Sequence, residues 1–113
     1  MATNQYKFYG TTLTTTDATT LLTPSAAGAG AVETFIIKSF RVTNNTGSTP
    51  TITITNNDIN IVKAQTLVAN ASTEILTLPL IVESSKSIKV TMSSTDSVSI
   101  GISYLNITQE VTV

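Results

Sequence analysis

The sequence contains no cysteine, no histidine and no tryptophan, and each absence closes a field of chemistry. Without cysteine, neither disulfides nor thiolate metal sites can stabilise the fold. Without histidine, the commonest general base and metal ligand is missing, and no Ser–His–Asp or Cys–His arrangement can be built. Paired carboxylates could still hydrolyse a glycoside. However, Asp17, Glu33, Asp58, Glu74, Glu83, Asp96 and Glu110 fall mostly at expected turns or strand ends. Aromatic residues are only 5% of the chain, which leaves sugar rings and bases poorly supplied with stacking platforms. The expectation is a protein that binds or scaffolds, with no catalytic residues, no cofactor and no metal ligands.

Charge is scarce as well. Six Lys and Arg stand against seven Asp and Glu, a net charge of −1. The cations Lys7, Lys38, Arg41, Lys63, Lys86 and Lys89 are spread thinly, which is not the basic stripe that nucleic acid requires. Solubility must then rest on Thr, Ser and Asn, a surface suited to a protein packed among copies of itself. No apolar run approaches the length of a bilayer span, and Met1-Ala-Thr-Asn-Gln-Tyr-Lys7 has no apolar core of a signal peptide. No membrane is expected as a partner, and synthesis in a cytoplasm is.

What the chain does have is β-branched residues. Ile and Val outnumber Leu, and Thr is the commonest residue. Such side chains lose rotamer freedom in helices and pack well on a pleated surface. At 113 residues there is room for one core and one domain. Residues 1–10 read as an N-terminal arm or an edge strand, followed by a short strand near Thr19 to Thr23. Pro24 ends pairing, and Gly28 and Gly30 permit positive φ in the loop that follows. Ala31 to Asn44 is the longest strand candidate. Val32, Ile36, Phe40 and Val42 share one parity there, while Phe35 and Ile37 break it, which implies two covered faces or a bulge.

Further along, Thr49 to Thr55 alternates with Ile52 and Ile54 inward, and Asn56-Asn-Asp58 turns the chain into Ile59 to Ala64. A strand near Thr73 to Leu78 stops at Pro79, and Leu80 to Val82 resumes on a neighbouring sheet. Ser87 to Ser93 buries Ile88, Val90 and Met92. Ser97 to Tyr104 buries Val98, Ile100, Ile102 and Tyr104, and these last two segments give the strongest hairpin signal. Seven to eight short strands, with turns roughly every 8–12 residues, define an all-β, antiparallel β-sandwich or jelly-roll-like domain.

Several motifs have plain structural readings. Asn56-Asn-Asp-Ile-Asn60 offers oxygens to a cation, but it lacks the Gly and bidentate Glu of a calcium loop, and Asn and Asp favour turns in any case. Asn44, Asn70 and Asn106 each begin a glycosylation pattern that a Ser- and Thr-rich chain produces by chance. Thr51, Thr53 and Thr55 share a face as on ice-binding surfaces, though on one strand only. Tyr6, Phe8 and Tyr9 lie close together in the N-terminal segment, and exposed aromatics in so short a stretch mark an interface.

The segments Tyr6-Lys-Phe-Tyr-Gly-Thr-Thr-Leu-Thr14, Ala18-Thr-Thr-Leu-Leu-Thr-Pro24, Phe40-Arg-Val-Thr-Asn-Asn-Thr-Gly47, Leu67-Val-Ala-Asn-Ala-Ser72, Leu80-Ile-Val-Glu83 and Ser87-Ile-Lys-Val90 together resemble small β-rich virion structural proteins of tailed bacteriophages. The resemblance covers most of the chain. It implies a capsid decoration (cement) protein in the virion, made in the host cytoplasm, which stabilises the shell through subunit contacts. Its partners would be the major capsid protein and copies of itself, as a homo-oligomer of which a trimer is the common form. A tail, neck or fibre component is the alternative the same resemblance allows, and a ligand-binding β-module is a third.

Overall fold

A computed structural model of the chain describes residues 2–26, 31–76 and 78–110; the loop glycines Gly28 and Gly30 lie outside the described residues. Among these, nine strands form: β1 (Ala2–Leu13), β2 (Thr19–Leu22), β3 (Ala31–Asn44), β4 (Thr51–Asn56), β5 (Ile59–Thr66), β6 (Ser72–Glu74), β7 (Leu80–Val82), β8 (Ile88–Met92) and β9 (Val98–Glu110). One sheet runs β1-β9-β3, with β6 and β7 sharing the far side of β3. The other runs β2-β8-β4-β5. All pairings are antiparallel.

The pairings nest along the chain. β1 pairs with β9, β2 with β8, β3 with β6 and β7, and β4 with β5. A long hairpin has in effect been rolled up, so that strands alternate between two facing sheets; this is the jelly-roll arrangement. Nine segments fill eight strand positions, because β6 and β7 lie along one edge of β3 with Pro79, which has no N–H to donate, between them. The expected all-β antiparallel sandwich is therefore observed. Three of its strands are long rather than short, at 12, 14 and 13 residues for β1, β3 and β9.

Two expected pairings differ. β8 and β9 form no hairpin: β8 lies between β2 and β4, and β9 between β1 and β3, in opposite sheets. Alternation shows that each strand buries one face, and two strands that face each other across a core alternate just as two neighbours do. β7 does not move to a neighbouring sheet but pairs with β3 beside β6. The hairpin the chain does make is β4–β5, whose turn residues Asn57 and Asp58 both have positive φ, 53° and 61°, as a tight type I′ connection requires.

The core lies between the sheets. Ile37, Phe40, Val82, Val98 and Ile102 meet Ile52, Ile54, Ile88 and Val90, all fully buried. A bulge in β3 sets its face. Ile37 pairs with Tyr104 and Ser39 with Ser103, leaving Lys38 unpaired and exposed. One extra residue thus turns Phe35 and Ile37 inward before the bulge and Phe40 and Val42 inward after it, and Ile36 points outward. The Glu74 carboxylate holds the bulge, accepting from Phe40 N at 2.6 Å and Ser39 Oγ at 2.5 Å. The molecule is elongated, 53 × 22 × 20 Å.

Candidate functional site

Residues 2–10, read from sequence as an arm or an edge strand, form most of β1. That strand pairs with β9 without a break from Ala2↔Gln109 to Leu13↔Val98. The alternation of the strand separates the three aromatic residues of the expected interface. Tyr6 and Phe8 stand on the outer face of the sheet, 80% and 71% exposed. Tyr9 turns inward and packs against the core. Phe8 reaches over a glycine pair: Gly10 and Gly101 are directly opposed, and a Cβ at either would stand 3.0 to 3.1 Å from the Phe8 ring. The two glycines make a shallow seat that fixes an otherwise exposed ring.

The register places Tyr6 opposite Leu105, Leu105 opposite Ile36, and Ile36 opposite Ile81. One apolar side chain from each of β1, β9, β3 and β7 therefore forms a row across the outer face, with Phe8 beside it and Ile81 57% exposed at its far end. Ile81 also borders a depression of about 290 Å³ shared with Ile59 and Ile61 of β5 and with Glu83 and Lys86. Ile59 is itself 63% exposed, and Leu78, 77% exposed, borders a second depression that it shares with Ile61. Monomeric proteins scatter exposed apolar residues singly, and contiguous ones mark contact surfaces. Sequence reasoning found Tyr6 and Phe8 but not Leu105, Ile36 or Ile81. The parity of Ile36 depends on the bulge at Lys38, and the row exists only once the pairing partners of β9 are known.

The polar motifs are structural. Asn44 is buried: its Nδ2 donates to Ser48 O at 2.7 Å, and its Oδ1 accepts from Thr46 N and Oγ1 at 3.0 and 2.8 Å. Asn106 is buried too, donating from Nδ2 to Glu33 Oε2 at 2.8 Å. Neither amide is free to carry a glycan. Burial acts to raise the Glu33 pKa, but hydrogen bonds from Asn106 and Ser25 and the charge of Lys7 prevail and hold it below its ordinary value. Burial, and then the nearby Glu33 charge, push the Tyr104 hydroxyl up; its ring packs on Phe35 at 4.7 Å between centroids.

The Asn56 to Asn60 turn links β4 to β5. Lys89 Nζ stands 3.9 Å from Asp58 Oδ1, and Asn56 Nδ2 donates to Ile81 O at 3.0 Å. Among the described residues no three acids gather to hold a metal ion. Thr53 Oγ1 accepts from Ala64 N at 3.0 Å, which ties β4 to β5. No protein-family model matches the chain, and no curated protein matches it.

Proposed function

We propose that the chain is a structural subunit of a phage-like virion, a capsid decoration (cement) protein carried in many copies on the outside of the shell. The observation that carries this reading is the apolar row Tyr6–Leu105–Ile36–Ile81 across the outer sheet face, with the charges Arg41 and Glu74 to one side of it. A face of that kind stabilises a shell by burying apolar area against the major capsid protein, in proportion to the area removed from water. Three further features favour it. The surface relies on hydroxyls and amides rather than charge. The jelly roll is a fold used by viral capsid proteins, and also by lectins and cupins. The segments quoted above resemble small virion proteins of tailed phages.

Electron microscopy of the intact particle tests the reading. Many copies outside the capsid, with the β1-β9-β3-β7 face against the shell, are expected. A handful of copies confined to the tail would move the protein to a tail, neck or fibre role, and its absence from particles would overturn the proposal. Ile81→Asp, at an exposed position, should leave the melting temperature close to that of the parent and reduce occupancy on the capsid severalfold. Undiminished occupancy would remove this face from the contact.

A further inference from the structure

The two sheets have four outer edges, and three of them carry devices that prevent another chain from pairing. β2 is four residues long and its register is broken between Thr20 and Leu22. β5 is interrupted twice in its pairing with β4, has Ala64 at φ 50°, and carries Lys63. β6 and β7 are three residues each. Shortness, bulges, charges and proline are how sheet edges are blunted. β1 has only one of them, a single lysine. It runs 12 residues with no proline, no bulge and one charge, Lys7, and among the described residues its free edge shows an uninterrupted row of unpaired backbone groups.

We infer that β1 is an assembly edge, which pairs antiparallel with β1 of a second copy to join two sandwiches through one continuous sheet. This rests on the reading of the chain as an assembling protein, and it selects a two-fold pair over the trimer that the resemblance implies. The occupant must be an extended strand, because only another strand satisfies alternating N–H and C=O groups along an edge. A second copy fits because a two-fold axis through an antiparallel pair matches each edge to itself.

Charge and face choose the register. An axis perpendicular to the sheet passes midway between the two copies of one central residue, so that outer-face side chains meet outer-face side chains. Centred on Lys7, the pairing would oppose two lysines, which is unfavourable. Centred on Phe8, it sets Phe8 against Phe8 of the second copy, Tyr6 over its Gly10, and Lys7 against its Tyr9. The two most exposed aromatic rings then cover each other and the glycine seat, the kind of cross-strand pairing that stabilises sheets.

The absence of cysteine makes the test direct. The purified chain should sediment as a dimer, and β1 amides should be protected from hydrogen exchange at concentrations where it does. In the Phe8-centred register, residue 4 faces residue 12 of the second copy. The double variant Asn4→Cys/Thr12→Cys, which leaves both aromatics in place, should oxidise to a covalent dimer. Within one chain these positions lie about 27 Å apart along the strand, so no internal disulfide competes. Each single variant should remain uncrosslinked. A chain that stays monomeric at every concentration overturns the pairing, whether or not it attaches to particles. So does a dimer in which the double variant fails to crosslink.

Discussion

Ile100 is 2% exposed in the middle of β9, with Val42 of β3 on one side and Thr11 of β1 on the other. Replacing it by Asp buries an unpaired carboxylate, and chemical denaturation should show a loss on the order of 3 kcal/mol or more. Glu33 behaves differently. Its folded pKa lies below the ordinary 4.5, so its ionised form stabilises the fold above that value, and the contribution disappears as pH falls toward and through the folded pKa. The acid limb of a stability-against-pH curve should therefore be shallower for Glu33→Gln than for the parent. At this scale the sequence was informative about apolar parity, and Ile52, Ile54, Val98 and Ile102 are buried as alternation requires. It was silent about Asn44 and Asn106. A buried amide and an exposed one read alike until the partners that satisfy it, Ser48 O or Glu33 Oε2, are in place.

The bulged strand β3 depends on a carboxylate from the strand beside it. Glu74→Ala would leave Phe40 N–H without its acceptor, and urea titration should report a loss of about 1–3 kcal/mol. Glu74→Gln, which keeps a carbonyl oxygen within reach, should retain part of it. Pattern alone placed β3 at its observed bounds and suggested a bulge, since Phe35 and Ile37 conflict with Phe40 and Val42 under any single parity. What pattern could not supply was pairing. The supposed hairpin of β8 and β9 failed because two good alternating segments joined by a turn are equally compatible with neighbours in one sheet and with opposing strands across a core. The candidate surface was missed for the same reason: Leu105, Ile36 and Ile81 come from three strands whose adjacency is long-range. Tyr6 and Phe8 were found because they are two residues apart on one strand.

For the whole molecule, electrostatics is a minor contributor. Among the described residues one ion pair forms, Lys89 with Asp58 at 3.9 Å, and both side chains are exposed. Screening it should change little, so the melting temperature is expected to stay nearly constant from low to moderate sodium chloride, and a marked fall would show a charge network outside these contacts. The nested pairing has a different kind of consequence, one of timing. β9 follows every strand in its own sheet along the chain, yet it is the strand that joins β1 to β3. On the ribosome, the β4–β5 hairpin can close soon after its residues emerge. β1 must wait unpaired, and β3 must wait without its longest partner, until residues 98–110 have been synthesised. Refolding should accordingly be slow for so small a chain, in the millisecond-to-second range of folds dominated by distant pairings. During that wait, the aromatic residues of β1 are most vulnerable to pairing with the wrong neighbour.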